Sequence, residues 1–523
     1  MRKQPVAIVG SGIAGSLLAY LLTKRGVSVD VFEKGPDYPY PHSRQFAELK
    51  HHWKNPAYQL GADLKHVDAS GAYPQDINDE VIMHVGGAAS HWGAMCDRMH
   101  PDDFQAKTRY GRDIDWPLTY EELEPRYVEA ERLLGVSGGD AGNPYAAARS
   151  SPYPLPGFEF GPDIAKIRER LALQGLTLSL SPQARTRKSY DGRSGCLNNN
   201  FCQACPIGAR YSPQHHLLKA LGTGLCRLHT QTTVRRVLVD EEGAAQGVLY
   251  RGHDESADRE LRAGAVIVAG GAIESARLLL MSTSARFPDG LGNSGGWVGR
   301  NLIFHHIRMA HVEYPEKMYA GRAGPEMGQS RQFINPETRA EHGGVLVQMR
   351  STLGSPTHPA YLPGLSAARI TEVMERLSSR EEVVLHSESF PDPKKLVTLS
   401  TRKDSYGDPF AHVQYELSAS DQGTFEFAGL LFNRFAEASG GKAVHSSMTA
   451  RHFHSGYHHL GTCRMGRSPQ DSVVDKFGRV HGADGVFVIG GGSFTSSTAV
   501  HPTLTIAALA VHALGGVLKR LGL

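Results

Sequence analysis

The chain has 523 residues, more than a single hydrophobic core usually organises, so two or more domains are expected. Its formal net charge is only +3, and its basic residues form no dense stripe, so we expect no nucleic-acid partner. Six cysteines are too few for a disulfide-rich secreted scaffold, and three of them fall within ten residues, which indicates metal or redox chemistry.

The first predicted element is an apolar strand at residues 6–9 that runs directly into the glycines Gly10, Gly12 and Gly15. In a nucleotide-binding strand–loop–helix unit, the first glycine allows a tight turn and the second lets a pyrophosphate approach bare backbone. The third lets the following helix, predicted at residues 16–25, pack closely with its positive end towards the phosphates. This stretch therefore predicts a nucleotide site and not merely a glycine-rich turn.

A second predicted strand, at residues 28–32, ends in the acidic residue Glu33. A carboxylate about 20 residues after the glycine turn is placed to hold a ribose hydroxyl. The glycine cradle alone suits NAD as well as FAD, so the identity of the dinucleotide depends on the rest of the chain.

Another glycine-rich stretch, at residues 85–94, reads VGGAASHWGA. Paired glycines permit close approach of the backbone to a ligand, and the pair His91-Trp92 followed by small residues is suited to line a flat aromatic ring. The alternative is a glycine-rich loop whose tryptophan is simply packed.

Three cysteines, Cys196, Cys202 and Cys205, follow the spacing C-x5-C-x2-C-P. A three-iron cluster needs only one thiolate per iron, and a tight irregular loop offers backbone amides to the sulfurs. Zinc requires a fourth ligand, for which His215 or His216 is available. Unligated thiols or a disulfide are the remaining interpretations of this loop.

The later chain returns twice to the strand–glycine–helix pattern, at residues 265–281 and, with its strand and glycines, at 485–492. Between them, alternation of apolar and polar residues, as at 396–400 and 412–417, predicts a half-buried antiparallel sheet. The predicted fold is α/β, or α+β overall, with a discontinuous Rossmann-like nucleotide domain, a substrate domain and a helical and loop excursion that carries the cysteines. Their boundaries are 1–100, 205–311 and 447–523 for the nucleotide domain, 312–446 for the substrate domain and 101–204 for the excursion.

Two histidine motifs flank the last predicted strand. His458 begins the sequence HHLGTCRMG, and His501 begins HPTLTIAAL. Pro502 forces His501 to be extended and suits the first turn of the helix behind it, so a histidine is displayed at the positive end of a helix.

These glycine and histidine motifs, with GRN at residues 299–301 and AIESARLL at 272–279, resemble the glucose-methanol-choline (GMC) oxidoreductases. They occur in the right order across nearly the whole chain. The resemblance implies FAD, a flavin domain built from separated segments, and a sheet-based substrate domain over the isoalloxazine ring. It also implies FAD contacts at Gly10, Gly12, Gly15, Glu33, Gly87, Ser90, His91, Trp92, Gly93, Ala94, Val234, Gly491 and Thr503.

Within that family the likeness is strongest to sugar-oxidising members. The sequence Ser90-His91-Trp92 resembles the motif of pyranose oxidases in which the histidine is linked covalently to FAD. The cysteine loop resembles that of bacterial sugar dehydrogenase subunits with a 3Fe–4S cluster, which implies Cys196, Cys202 and Cys205 as its ligands. Gly195 stands where some of these relatives have a further cysteine, and His501 stands where many sugar-oxidising relatives have asparagine.

The resemblance implies oxidation of a sugar or glycoside hydroxyl to a carbonyl, with a glucoside oxidised at C3 as the preferred reaction. A neutral imidazole suits the removal of a hydroxyl proton near pH 7, so His458 is predicted to be the base and His501 to orient the same hydroxyl. Electrons are expected to leave through the cluster to an external acceptor such as a cytochrome c. The alternatives are a cluster-free oxidase that uses oxygen and a non-catalytic flavoprotein that relays electrons.

No signal peptide is expected, because the glycine cradle explains the residues that follow Arg2 and Lys3. No apolar run reaches the ~20 residues that a membrane span requires; the stretch 504–523 comes nearest but is interrupted by charged residues. Relatives with the cysteine loop work beside a small subunit that carries the export signal. The resemblance therefore implies either periplasmic work by co-export with such a subunit or a cytoplasmic protein.

Overall fold

The computed structural model describes residues 4–44, 47, 67–71, 77–139, 142–198, 204–318, 327–351, 366–377, 379–444 and 455–523. Within them, nine α-helices, numbered α1 to α9 in chain order, span Ile13–Thr23, Ala106–Tyr110, Tyr120–Leu134, Pro162–Leu173, Gln214–Leu221, Gly271–Met281, Ala367–Leu377, Ala419–Ala438 and Thr503–Arg520.

Seventeen strands lie in the same described residues. In chain order, β1 to β17 span Val6–Val9, Val29–Phe32, Val67–Gly71, Ser179–Leu180, Cys226–His229, Thr232–Val239, Ala245–Gly252, Arg259–Arg262, Ala265–Val268, His306–Glu313, Gly328–Ser330, Val345–Ser351, Arg380–Ser387, Leu396–Lys403, Pro409–Tyr415, Lys442–Val444 and Val486–Val488.

A five-stranded parallel sheet forms the centre of the nucleotide domain, in the order β17-β9-β1-β2-β5. Its register sets Val6 beside both Val29 and Ala265. Helices α1, α5 and α9 pack on one of its faces, and the antiparallel sheet of β6, β7 and β8 lies against the other, so β9 and β17 are buried along their whole length. The predicted return of the chain to this sheet after residue 265 and again after residue 485 is confirmed.

Helix α1 lies between this sheet and the C-terminal helix α9. Ten of its eleven residues are buried. Leu18 and Leu22 share a hydrophobic cluster with Ile8 of the sheet and with Leu514 of α9. Apolar contact on both sides thus fixes the position of the α1 N-terminus, which follows the first glycine turn.

A six-stranded antiparallel sheet forms the second layer, in the order β16-β10-β13-β12-β11-β4. Helices α4 and α8 cover one face, where Ile167 and Phe432 pack against Val347 and Leu385. The opposite face carries Met309, Gln348, Val384 and His386 into a cavity between the two sheets. An antiparallel sheet is therefore present in the predicted region, but the segments 396–400 and 412–417 that predicted it lie in β14 and β15 of a separate sheet.

This sheet extends beyond the predicted boundaries of the substrate domain. Strand β10 begins at His306, and the two-residue strand β4 comes from the predicted excursion. Strand β3, which lies in the predicted nucleotide domain, pairs in parallel with β15 in a separate three-stranded sheet. Such pairings join segments more than a hundred residues apart, and no local pattern in the sequence reports them.

Candidate active site

The cavity between the two sheets has a volume of about 640 Å³. It brings together most of the residues predicted to form the site: Gly10, Gly12, Glu33, Gly87, His91, Trp92, Gly93, Val234, Gly491, Thr503, His458 and His501. Gly15, Ser90, Ala94 and the described cysteines Cys196 and Cys205 lie outside its wall. Cys202 lies outside the described residues.

The glycine cradle lies at one end of the cavity. Gly10 has a φ of +100°, and a Cβ there would stand 2.5 Å from the Ala269 carbonyl oxygen. A Cβ on Gly15 would stand only 2.0 Å from the carbonyl oxygen of Gly10, so the close packing of α1 requires glycine there. Gly12 has no heavy atom within 4 Å of where its Cβ would be, so its backbone is open to a ligand.

Glu33, at the end of β2, faces the same turn. Its Oε2 accepts hydrogen bonds from the Ser11 amide at 3.1 Å and the Ser11 hydroxyl at 2.6 Å, and its Oε1 accepts one from the Gly35 amide at 3.0 Å. Burial raises the pKa of Glu33 above its ordinary value, although these hydrogen bonds act to lower it. The carboxyl group is thus fixed at the cavity wall beside the cradle.

The loop at residues 85–94 crosses the middle of the cavity. Trp92 Nε1 donates to the Tyr211 carbonyl oxygen at 2.8 Å, which anchors the indole. The Ser90 hydroxyl is turned away from the cavity and lies 2.9 Å from His84 Nε2, while Ala94 is fully buried with a φ of 67°. Burial lowers the pKa of His91 to about 3, so this cavity-lining imidazole is neutral at physiological pH.

At the far end of the cavity, the rings of His458 and His501 meet edge to face with centroids 5.5 Å apart. The Nδ1 atom of His458 lies 2.8 Å from Nδ1 of His305, a fully buried residue just before β10. The two predicted catalytic histidines are therefore neighbours, and the ring of His458 has a hydrogen-bonding partner behind it.

His501 has a different partner, since its Nδ1 donates to Asp97 Oδ2 at 3.0 Å. Asp97 is fully buried, and its other oxygen accepts from Gln329 Nε2 at 2.7 Å and lies 3.3 Å from Arg331. Burial alone would raise the pKa of Asp97, but the hydrogen bond from His501 and the charge of Arg331 outweigh it and hold that pKa below its ordinary value. An ionised carboxylate thus lies behind His501.

A third histidine, His386 of β13, lies 4.6 Å from His501 between ring centroids. Its Nε2 lies 3.0 Å from Gln348 Oε1, and Gln348 Nε2 lies 3.4 Å from Gln329 Oε1. Because Gln329 donates its amide to Asp97, its oxygen faces Gln348, and one polar chain links His386 to the carboxylate behind His501.

Asp97, His305 and His386 were not predicted. Asp97 follows Ala94 by three residues and His305 follows Asn301 by four, so a search for polar residues just after the motif loops would have found both. His386 directly follows the apolar residues 383–385 of β13, and a polar residue at such a place was the available signal.

The cysteine loop lies beside the loop at residues 85–94. Cys196 Sγ accepts from the Asn198 amide at 3.4 Å, and Cys205 Sγ accepts from the Arg210 amide at 3.5 Å. The Arg210 guanidinium donates to the carbonyl oxygens of Ala89 and Ser90. One residue therefore contacts both the cysteine loop and the loop that lines the cavity.

The described cysteines form no disulfide with one another. The two histidines considered as zinc ligands have other contacts: His215 Nε2 lies 2.9 Å from Asp191 Oδ2, and His216 Nδ1 lies 2.9 Å from the Tyr211 hydroxyl. Each contact engages one of the two ring nitrogens of its histidine.

Comparisons with known proteins agree with this geometry. Models of the GMC oxidoreductase family match residues 172–307 and 391–510, and a model of the NAD(P)-binding Rossmann-like domain matches residues 8–51. The chain is 30% identical to 2-methyl-1,2-propanediol dehydrogenase from Mycolicibacterium austroafricanum over 97% of its own length and 94% of that protein. It is 29% identical to the fructose dehydrogenase large subunit from Gluconobacter japonicus, over 99% of its own length and 98% of that subunit.

Among solved structures, pyridoxine 4-oxidase from Mesorbium loti superposes with a TM-score of 0.68 at 19% identity, over 98% of this chain and 99% of that one, which shows the shared fold. A nucleotide cradle and a histidine pair at opposite ends of one cavity define an FAD-dependent oxidoreductase that acts on CH–OH groups. The chain belongs to the GMC oxidoreductase family.

Proposed function

We propose that this protein oxidises a hydroxyl group of a sugar or glycoside to a carbonyl, with His458 as the base and His501 as the residue that orients the hydroxyl. The observation that carries the proposal is the convergence of these two imidazoles in the cavity, with ring centroids 5.5 Å apart. Each has its Nδ1 engaged behind the cavity, by His305 or by Asp97.

The residues around the cradle fit FAD. Gly12 offers open backbone to the pyrophosphate, α1 directs its N-terminus towards it, and Glu33 is fixed where a ribose hydroxyl would bind. Gly87, His91, Trp92 and Gly93 would line the isoalloxazine ring. FAD, when bound, supplies the acceptor for the hydride that leaves the substrate carbon.

The proton chemistry belongs to the histidines. A neutral imidazole with an ordinary pKa near 6.5 is a suitable base at physiological pH, and His458 would accept the hydroxyl proton as the carbon–hydrogen bond breaks. His501 would hydrogen-bond the same oxygen and restrict its orientation. Thr503, at the first turn of α9, lines the cavity, so the positive end of this helix favours negative charge that develops there.

Polar side chains on the substrate sheet support a polyhydroxylated substrate. Gln348, Arg350 and His386 line the cavity on the side of the six-stranded sheet. Two relatives that match over nearly the whole chain are named for fructose and for a propanediol, and both compounds carry at least two hydroxyl groups. A glucoside oxidised at C3 is the preferred substrate and position in this proposal.

The experiment is a screen of sugars, glycosides and simple diols under anaerobic conditions, with an artificial electron acceptor and identification of the product carbon. Reduction of the flavin by sugars supports the proposal, and a 3-keto glucoside as the product supports its preferred form. Reduction by simple alcohols or diols alone contradicts the sugar assignment. A protein that no alcohol reduces would instead be the non-catalytic electron carrier.

The cysteine loop is proposed to hold a 3Fe–4S cluster through Cys196, Cys202 and Cys205. The two described sulfurs accept backbone hydrogen bonds, which suits thiolate ligands of such a cluster. The cluster would supply one-electron transfer to an external acceptor. Iron and acid-labile sulfide at three and four per flavin are expected; their absence, with rapid reoxidation by oxygen, would favour a cluster-free oxidase.

The name of one relative, the large subunit of fructose dehydrogenase, supports a partner subunit for this chain. We propose that this chain acts beside a small subunit with an export signal, in the periplasm, and passes electrons to a cytochrome c. Among the described helices, none combines the length and apolarity of a membrane span. Fractionation and affinity purification from the native cells test both points: a monomeric cytoplasmic enzyme contradicts them.

A further inference from the structure

We propose that His305 is a positioning residue that holds His458 in the tautomer with its proton on Nδ1 and its lone pair on Nε2. The inference rests on the proposed role of His458 as the base, and it specifies which nitrogen takes the substrate proton. His305 does not line the cavity, so it acts only through His458.

The contacts of His305 fix its proton on Nε2. Its Nε2 lies 2.6 Å from the Thr498 carbonyl oxygen and 3.0 Å from the Ser497 hydroxyl. A carbonyl oxygen only accepts hydrogen bonds, so Nε2 must carry a hydrogen. Burial lowers the pKa of His305 to about 3, so the ring is neutral at physiological pH. Its Nδ1 therefore presents a lone pair.

His305 in turn determines which nitrogen of His458 carries the hydrogen. The two Nδ1 atoms are 2.8 Å apart, and the rings meet at 88° with centroids 4.8 Å apart, which is hydrogen-bonding geometry. Since Nδ1 of His305 is the acceptor, Nδ1 of His458 is the donor. In a neutral His458 the remaining nitrogen, Nε2, then has the lone pair, on a ring that lines the cavity.

The Thr498 carbonyl thus determines the basic atom through two imidazoles. The direction of these hydrogen bonds is fixed at one end by the Thr498 carbonyl, a main-chain group that cannot titrate. His501, in contrast, is oriented by the carboxylate of Asp97. The histidine pair is therefore asymmetric: a neutral ring lies behind the proposed base, and an anion lies behind the orienting residue.

A metal site is the competing interpretation, because nitrogens of His305, His386 and His458 all lie within 4.8 Å of one another. Two nitrogens bound tetrahedrally to one zinc ion stand about 3.3 Å apart. The separation of 2.8 Å between His305 and His458 is shorter than that and matches a hydrogen bond. The geometry favours the hydrogen-bonded pair.

The test is ¹⁵N NMR of the histidine-labelled holoenzyme, with the His458 resonances assigned by their loss in His458→Ala. We expect the hydrogen of His458 on Nδ1. In His305→Leu, which has no acceptor, the Nε2–H form should grow and kcat should fall roughly 10- to 100-fold with KM little changed. In His305→Asn, whose Oδ1 can replace the acceptor, both the tautomer and most of kcat should be retained.

A wild-type His458 with its hydrogen on Nε2 overturns the proposal, as does a His305→Leu enzyme with an unchanged tautomer. One zinc ion per chain, lost in His305→Leu, would establish the metal site instead. If His305→Leu does not fold, the wild-type and His305→Asn spectra still show which nitrogen of His458 carries the hydrogen. The spectra report the tautomer of His458 even if His458→Ala proves fully active. A wrong assignment of His458 as the base is therefore distinguishable from a wrong assignment of His305 as the residue that sets its tautomer.

Discussion

His501 Nδ1 donates a hydrogen bond of 3.0 Å to Asp97 Oδ2 across 404 residues of sequence. The chain that follows the loop at residues 85–94 thereby meets the N-terminus of the last helix, α9. The same carboxylate accepts from Gln329 of β11 and pairs with Arg331, so the six-stranded sheet also contributes to the environment of this imidazole.

Replacement of Asp97 by asparagine should slow flavin reduction by substrate about 10- to 100-fold, because His501 loses its anionic partner. It also removes the carboxylate of the buried ion pair between Asp97 and Arg331, and breaking a buried ion pair typically costs about 3–5 kcal/mol of stability. Stopped-flow reduction and thermal unfolding, measured on the same preparation, separate the two effects.

Asp421→Asn is the matched control, since Asp421 forms an equally buried ion pair with Lys395, and neither residue lines the cavity. It should lose stability without loss of the reduction rate. If Asp97→Asn reduces its flavin as fast as the wild type, the contact with His501 serves stability alone.

Gly15→Ala should abolish retention of FAD, because a Cβ there would stand 2.0 Å from the Gly10 carbonyl oxygen and would force α1 away from the cradle. The flavin-to-protein absorbance ratio measures this. Gly515→Ala makes the same chemical change at an exposed position of α9 with no heavy atom within 4 Å, and helix propensity should stabilise it by up to ~1 kcal/mol. Full flavin content in Gly15→Ala would contradict the close-packing argument.

Glu381→Gln should stabilise the protein increasingly as the pH rises. Burial and the neighbouring Asp163 raise the pKa of Glu381 from 4.5 to about 10. Between these values the folded chain holds a proton that the unfolded chain has released, so wild-type stability falls with rising pH by up to ~1.4 kcal/mol per unit. The neutral amide removes this loss. Thermal unfolding at pH 6 and pH 9 should show a larger gain at pH 9; an equal gain would contradict the raised pKa.

Covalent attachment of FAD through His91 is a separate hypothesis, suggested by the sequence Ser90-His91-Trp92 and by the position of His91 in the cavity wall. It predicts that acid-precipitated protein stays yellow, whereas the His91→Ala pellet is colourless. Release of all flavin from the wild-type protein would remove the hypothesis.

The parts of the fold that could be predicted are those with local signals. The strand–glycine–helix units are short-range patterns, and the structure contains them. The pairing of β3 with β15, by contrast, depends on segments over three hundred residues apart.

The same limit applies to the site. His458 and His501 stand in recognisable motifs, whereas His305 and Asp97 gain their significance only from contacts over 153 and 404 residues. Glycine permits backbone conformations that other residues avoid, and proline restricts the backbone, so both leave a signal in the sequence. A buried histidine or aspartate does not, because its role depends on the partner that folding brings to it.

The most direct test of the central claim is anaerobic stopped-flow reduction of the flavin by a sugar substrate in the wild type, His458→Ala and the control His512→Ala, whose ring stacks on Phe477 away from the cavity wall. Loss of a general base should slow reduction by about 10²- to 10⁴-fold in His458→Ala, with FAD still bound, and leave the control unchanged. Reduction of His458→Ala at the wild-type rate would contradict the assignment of His458 as the base.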